Sequence, residues 1–445
     1  MLTWISKHVV YPLREAKQGA RRLKYLEELR ASQWRSEPEL RQAQWVRLKD
    51  IVAYAFDNVP YYRASFEAVG FTGQLRTPEE FRSLPLLSKH TVRKNHDALI
   101  SRVFRRDELV ESRTGGSTGT ALTLRFDKPC QQRRNAAAMR SDEWAGWDIG
   151  MKVAAIWGNP PVPHNLRGRL RNALVDRTMY LDTMNVNDES VRHFVAAWRK
   201  YQPQLMFGHA HSIYILATYL NDMGVNDLRP KGIVSTSMML LASERAYIQK
   251  TFECAVSNRY GCEEVGLIAA ECERHEGLHI NMDYVFLEFL RDDGREAQPG
   301  EEAKIVVTDL VNRGMPLIRY EVGDLGVPSD RRCSCGRGQP LMDRITGRQA
   351  DFLKRPDGSR VAGVSIVERT LTAIPGLQQM QLVQNDLHKL AVKVVATDEF
   401  STHEEYALRR ELEDVFGEDV TVDLQYVEKL DQTRAGKYRF AICTV

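Results

Sequence analysis

Between residues 122 and 260, short apolar runs alternate with longer amphipathic ones, and no other feature restricts the fold as strongly. "ALTLRF" sets Leu122, Leu124 and Phe126 on one side of an extended chain by period-two spacing. Residues 128–146 have helical character, "MKVAAIW" reads as a buried strand, and 189–200 fit a helix. "QLMFG" and "GIVST" read as short core strands separated by the helical "HSIYILATYLNDMG". After Ser243, Ile248 and Phe252 lie four apart on an amphipathic helix that leads past Ala255 into the strand-like "VSNRYG". Alternation of this kind predicts an α/β architecture, in which helices cover a sheet.

The texture differs on either side. Residues 16 to about 70 read as helices broken near Pro60, and Thr77 before Pro78 is a helix-start signal. From 284 onward, "YVFLEFL" and "AKIVVTDL" read as strands joined across the turn-rich "RDDGREAQPGEE". Beyond "TGRQADFLKRPDGSR" come the strand "LAVKVVA", a helix carrying Leu408, Leu412 and Phe416, and "VTVDLQYV". In that last strand Val420, Val422, Leu424 and Tyr426 share a face. Four regions are expected: helical 1–70, an α/β core over 71–283, a β-rich subdomain over 284–350, and an α+β module over 351–445.

Composition narrows the partners. Of 445 residues, 43% are hydrophobic and 27% charged, as in a soluble globular chain with a sizeable core. Lys plus Arg number 62 against 59 Asp plus Glu, and a net charge of +3 gives no reason to expect nucleic acid. The Arg-rich "REAKQGARRLKYLEELR" is interrupted by acids and reads first as a solvated helical face, second as a weak membrane or partner contact. No apolar run suggests a transmembrane helix, and the start is a poor secretion signal, so a cytoplasmic location is expected.

The strongest chemical signal is "SRTGGSTGTALTLRF", residues 112–126. Gly115, Gly116 and Gly119 let the backbone bend around an anion, while Thr114, Ser117 and Thr118 offer hydroxyl donors. The GxxxxGK[ST] pattern is absent, so this is not an ordinary P-loop; a plain flexible turn is the competing reading. Four further segments follow in order: "YGCEEVG" at 260–266, "PLIRYEVGDLG" at 316–326, "TGRQAD" at 346–351 and "TRAGKYR" at 433–439. Together with the loop they resemble the adenylate-forming superfamily, specifically its phenylacetate–CoA ligase and CapK-like branch, over about residues 45–445.

That resemblance implies a large multi-subdomain N-terminal domain and a small mobile α+β C-terminal domain. It implies that Ser117 and Thr118 contact the β- and γ-phosphates of ATP in a loop shaped by the three glycines. Glu264 would hold Mg²⁺, Tyr260 and Gly261 would form the adenine and substrate wall, and Asp324 would bind the ribose hydroxyls. Arg348 matches a nucleotide-contacting arginine, Lys437 the mobile-domain lysine that assists carboxylate attack, and Asp351 the hinge. The expected reaction is ATP-dependent activation of a small organic carboxylic acid to an acyl-adenylate, then transfer to CoA or another thiol. Transfer to an amine or carrier protein, and a catalytically weakened nucleotide-binding component of capsule biosynthesis, are the alternatives.

Cysteine usage adds a metal site. Of seven cysteines, Cys254, Cys262, Cys272, Cys333 and Cys335 are clustered, and in a chain this large a cytosolic metal site outranks a disulfide scaffold. "CERHEGLH" and "CSCGRG" offer thiolates and imidazoles suited to tetrahedral Zn²⁺. Cys272, His279, Cys333 and Cys335 are the preferred ligands, with His275 competing for the histidine position and ordinary core cysteines as the alternative. Similar Cys/His and CxCGR arrangements in CapK-like relatives favour the structural zinc.

For the acid, Trp157, Phe207 and Tyr260 are candidate pocket walls, although Trp and Phe at strand ends more often pack a core. His209 and His211 have no partner visible in the sequence, and neither is assigned as a base. Cys262 reads as a small wall residue. Two departures from the family pattern stand out: the loop ends without a following lysine, and Met238 and Met239 occupy a stretch where relatives often carry a glutamate.

Overall fold

The computed structural model describes residues 2–445 apart from 114–121, 159, 162–164, 184–185, 349–351 and 433–437. Its helices begin where local chemistry permits. After a short N-terminal segment, α1 (Leu2–Ile5) and α2 (Tyr11–Lys17) joined by a π turn, come α3 (Arg22–Ser32), α4 (Glu37–Asn58) and α5 (Pro60–Glu67). Ser36 and Glu39 form a capping box at the start of α4, and Pro60 occupies the first turn of α5, where its missing N–H costs nothing. Thr77 caps α6 (Pro78–Ser83) by accepting from Glu80 N at 3.2 Å, and α7 (Lys89–Lys94) follows.

Strands β1 (Val110–Arg113) and β2 (Thr123–Phe126) pair antiparallel, and Asp127 caps the next helix, α8 (Lys128–Trp144), through Cys130 N at 2.8 Å. Then β3 (Val153–Trp157), α9 (Leu166–Arg171), β4 (Thr178–Asp182), α10 (Asp188–Tyr201), β5 (Leu205–His209), α11 (Ala210–Asp222), β6 (Gly232–Thr236), α12 (Ala242–Phe252) and β7 (Val256–Cys262) alternate as the sequence pattern requires. The chain turns back antiparallel into β8 (Gly266–Glu271), and continues through β9 (Leu278–Ile280), β10 (Val285–Leu290), β11 (Ala303–Asp309), β12 (Tyr320–Pro328) and β13 (Leu341–Arg348).

All of these from β3 onward form one eleven-stranded sheet, ordered β10-β11-β12-β13-β9-β8-β7-β6-β5-β3-β4. Its β7-β6-β5-β3-β4 half is parallel and the remainder antiparallel. The β-rich stretch therefore extends the α/β sheet instead of forming a second one. Helices α3–α5 pack on the antiparallel half, where Leu26, Leu48, Ile51 and Phe56 share a core with Val285, Ile305, Leu317 and Tyr320. The parallel half has its own core, including Ile156, Met206, Ile213, Ile233 and Ile248.

Residues 352–445 build a separate sheet and core. The hairpin β14 (Phe352–Lys354) and β15 (Arg360–Ala362) precedes α13 (Gly363–Ala373), β16 (Leu377–Asp386), β17 (Lys389–Ala396), α14 (Thr402–Phe416), β18 (Thr421–Tyr426) and β19 (Ala441–Cys443). The four longer-range strands are ordered β18-β17-β16-β19. Leu408, Leu412 and Phe416 of α14 pack on Met380, Leu382, Leu390, Val392 and Val394. Met238, Met239 and Leu241, from the loop after β6, join this core, so the methionines noted as a departure lie where the two parts of the molecule meet.

Candidate active site and metal-ligating cluster

The site is centred on the β7–β8 hairpin, the point where the sheet changes from parallel to antiparallel. Open α/β sheets bind ligands beyond the carboxyl ends of their parallel strands, where connections diverge. Gly261 is needed there for close approach: a Cβ at that position would lie 2.4 Å from the carbonyl oxygen of Gly266 across the hairpin. The tip, Glu263-Glu264-Val265, is held from behind by Arg134 of α8. Its guanidinium donates to the carbonyls of Glu263 (3.3 Å) and Glu264 (2.7 Å), and pairs with buried Asp309 at 2.6 Å.

Two buried carboxylates face this region. Glu264 accepts a hydrogen bond from the Tyr320 hydroxyl at 2.9 Å, and Lys89 Nζ stands 3.6 Å from the same oxygen. Asp324 accepts from the Tyr260 hydroxyl at 2.9 Å, and Arg348, its register partner on β13, approaches to 3.2 Å. Burial pushes the Asp324 carboxyl above its usual range, with Arg348 pulling the other way; burial likewise raises the Tyr260, Tyr320 and Cys262 groups. Cys262 is therefore a protonated thiol, as suits a wall residue.

Strands β7 and β12 are separated by β8, β9 and β13 in the sheet, yet Tyr260 touches Asp324. The sheet must curl to bring them together. Glu264, Tyr260, Gly261, Asp324 and Arg348 thus converge as one group. Tyr320, Lys89 and Arg134 belong to it too, none of them among the candidates from sequence. Tyr320 lies inside the quoted "PLIRYEVGDLG", so that segment carried a signal; Lys89 and Arg134 had none.

The phosphate loop itself, with Thr114, Gly115, Gly116, Ser117, Thr118 and Gly119, lies outside the described residues, as do Asp351 and Lys437. Their described flanks have definite neighbours. Ser112 Oγ, just before the loop, donates to Glu263 at 2.5 Å. On either side of residues 433–437, Gln432 donates to the Thr183 carbonyl at 2.9 Å, and the Tyr438 ring meets His211 edge-on at 4.5 Å.

His211 does have a partner: its Nδ1 is hydrogen-bonded to Glu244 of α12, and both are buried. Trp157 stacks on Phe207 at 5.5 Å and 13°, with His209 4.0 Å from Trp157 and the Arg259 guanidinium 4.7 Å over Phe207. By strand alternation Tyr260 points to the face opposite Arg259. Trp157 and Phe207 therefore line one side of the sheet, while Tyr260 belongs with Asp324 on the other.

Of the cysteine candidates, Cys272, His279, Cys333 and Cys335 bring one ligand atom each to within 4.8 Å of one another. The Cys272 and Cys333 sulfurs are 3.5 Å apart, and Cys335 Sγ is 3.5 Å from His279 Nε2. The amides of Arg274 and Arg337 donate to the Cys272 and Cys335 sulfurs at 3.4 Å each, as would stabilise thiolates. Burial, reinforced by Arg337, lowers His279 to about 4, leaving the neutral imidazole that metals require. His275 instead faces Glu271 at 3.3 Å. Donor set and spacing fit a closed tetrahedral ion.

The cluster also abuts the N-terminal helices. Arg337 lies between Trp34 and Trp144, 5.0 and 4.9 Å from their rings, and donates to Gln33 at 3.1 Å. A Cβ on Gly338 would fall 1.8 Å from the Arg35 carbonyl oxygen.

Residues 353–444 match the family model described as the CapK C-terminal domain. Over 410 residues the chain is 25% identical to protein CapK of Staphylococcus aureus, covering 91% of this chain and 89% of that one. It is 26% identical over 352 residues to a phenylacetate-coenzyme A ligase of Thermus thermophilus, covering 76% of each. The chain is thus similar to CapK and to the phenylacetate-coenzyme A ligases over most of its length.

Solved structures agree on the fold. 2-Hydroxyisobutyryl-CoA ligase in its postadenylation state, in complex with 2-HIB-AMP, is 18% identical with a TM-score of 0.75, covering 93% of this CapK-like chain and 91% of that one. The same ligase in its thioesterification state, again at 18% identity with 93% and 91% covered, scores 0.62. A large α/β N-terminal domain and a smaller C-terminal domain are thus common to both proteins, and no helix among the described residues is long and apolar enough to cross a membrane.

Proposed function

We propose that this CapK-like chain uses ATP to convert a small organic carboxylate into an acyl-adenylate and then passes the acyl group to coenzyme A. The observation that carries the reading is the pair of buried carboxylates beside the β7–β8 hairpin, Asp324 and Glu264, each bonded to a tyrosine hydroxyl and each beside a cation. Burial of two neighbouring acids is costly unless something uses them. Asp324 would accept the two ribose hydroxyls, with Arg348 beside it. Residues 114–121, whose flank at Ser112 is tied to Glu263, would hold the phosphates.

In the first half-reaction a substrate carboxylate oxygen forms a bond to the α-phosphorus as the bond to the pyrophosphate oxygen breaks. In the second, the CoA sulfur bonds to the acyl carbon, loses its proton, and AMP leaves. The chain's task in the first step is to bring an anion to a polyanion, so positive charge at the forming bond matters most. Lys437 would supply it from the C-terminal domain, whose described neighbours Gln432 and Tyr438 already touch the large domain. Mg²⁺ bound with Glu264 would offset triphosphate charge. Lys89 gives the site a cation that the loop, lacking its lysine, does not.

The better superposition on a postadenylation state than on a thioesterification state supports an arrangement suited to the first step. Rotation about Asp351 would then present a different face of the C-terminal domain for transfer. The units involved are 1–70 and 71–283 for helices and core, 284–350 for the zinc-bearing β region, and 351–445 for the moving module. Zn²⁺ at Cys272, His279, Cys333 and Cys335 would have four protein ligands and no open position, and so would brace structure without taking part in chemistry. A cytoplasmic location fits the thiol-rich site and the substrates.

The test is exchange of labelled pyrophosphate into ATP across a panel of aryl, arylacetic and short hydroxy acids. Acid-dependent exchange is expected, with thioester formation once CoA is added. No exchange with any acid, in protein that binds ATP, would reject the enzymatic reading. Exchange without thioester would move the acceptor to an amine or carrier thiol.

A further inference from the structure

The N-terminal segment and α9 form a surface that adenylation does not use. Ser6 Oγ donates to the Leu174 carbonyl at 2.7 Å and Arg177 donates to Thr3 Oγ1 at 3.2 Å, locking the two segments side by side. Between them lies a cleft of about 640 Å³ lined by Arg14, Lys17, Arg167 and Arg171, with Gln18, Asn165 and Gly168 completing it. No carboxylate lines it among the described residues. Asp176, beside it, is paired with Arg171 at 2.8 Å and lies 4.0 Å from Arg14.

Large apolar side chains of the N-terminal segment and of α9 stand in solvent. Leu166 is 85% exposed, Leu13 65%, Trp4 62% and Leu170 59%. Leu166 and Leu170 are one turn apart on α9, and Leu13 and Leu166 each immediately precede a cleft arginine. A protein partner of ordinary kind would call for a contiguous apolar patch with few charges at its centre. Here isolated Trp and Leu side chains alternate with Arg and Lys, a pattern matched by the boundary between acyl chains and anionic headgroups.

We infer that this face docks on an anionic lipid bilayer, with Trp4, Leu13, Leu166 and Leu170 at headgroup depth and Arg14, Lys17, Arg167 and Arg171 against lipid phosphates. The association is peripheral. It would hold the enzyme where a membrane-embedded donor or consumer of its acid works, without altering the adenylation site.

Sedimentation of the full chain with phosphatidylcholine vesicles, with and without phosphatidylglycerol, tests the inference. Binding is expected only with phosphatidylglycerol, and should be lost in high salt. Each cleft cation removed should weaken partitioning about fivefold, the equivalent of roughly 1 kcal/mol per basic residue near an anionic surface. Arg167→Glu with Arg171→Glu, and separately Leu166→Glu with Leu170→Glu, should abolish co-sedimentation while leaving pyrophosphate exchange in solution unchanged. Trp4→Phe should remove a blue-shift of emission seen on adding anionic vesicles.

Equal binding to both vesicle types, no binding to either, or wild-type binding by the leucine variants would overturn the inference. So would saturable binding of inorganic phosphate without vesicle binding, which would make the cleft a soluble-anion site. A dimer in sedimentation velocity that the leucine variants dissociate would assign the face to a second copy instead.

Discussion

The Tyr320 hydroxyl makes the simplest claim about a single group. Tyr320→Phe removes one buried hydrogen bond to Glu264 and changes little else. A loss of about 0.5–1.5 kcal/mol in unfolding free energy is expected. If Glu264 takes part in adenylation, pyrophosphate exchange should fall by more than that stability loss explains. Lys437→Ala should suppress exchange with the melting temperature unchanged; an unaltered rate would remove Lys437 from the mechanism.

Asp324 adds a pH signature. Its carboxyl titrates above the unfolded value, so the folded state holds its proton more tightly than the unfolded state does. Stability from that proton is complete below the unfolded pKa and is lost as pH rises through the folded one. Asp324→Asn cannot lose it. Urea midpoints should therefore shift in favour of the variant as pH rises above the unfolded carboxyl's pKa of about 4. A difference that stays constant with pH would contradict the assignment.

Among elements, the β7–β8 hairpin and the cysteine cluster are each open to a direct test. Gly261→Ala forces a methyl against the Gly266 carbonyl, and should cost about 1–3 kcal/mol by overpacking along with a comparable loss of exchange. The cluster ties the loop after β12 to β8, β9 and, through Arg337 and Gly338, to the helices α3 and α4. Purified protein should carry one zinc by elemental analysis. Cys333→Ser should lose it and lower the melting temperature, and chelation should do the same before any effect on the Michaelis constant for ATP. Full metal occupancy in Cys333→Ser would exclude that residue as a ligand.

At the scale of the whole molecule, the proposed alternation between half-reactions would act at the junction where Tyr438 and Phe440 meet the large domain. His211 and Glu244 are buried beneath Tyr438 and Phe440, the residues that follow Lys437. Deleting one member of a buried pair costs about 3–5 kcal/mol, so Glu244→Ala is expected to destabilise the large domain outright. Tyr438→Ala is gentler and more informative. It should slow pyrophosphate exchange while leaving thioester formation from supplied acyl-adenylate near its original rate, because the proposed alternation assigns this docked arrangement to the first step alone. Equal losses in both would argue against alternation of the domain.

The strand–helix alternation and the helix starts at Pro60 and Thr77 were legible in the amino-acid order, while Glu264, Asp324 and Arg348, which the structure brings together, were picked out by resemblance to a known family. Periodicity, capping and motif chemistry are local, and a short window of sequence contains them. The sequence could not reveal that Tyr260 reaches Asp324 across three intervening strands, or that Lys89 and Arg134 enclose Glu264. Nor could it show that His211 is paired with Glu244, or that the competing His275 turns to Glu271. Those contacts depend on how far a long twisted sheet curls and on which surfaces meet when its cores close. Such choices are made by packing summed over the whole chain, and no single segment encodes them.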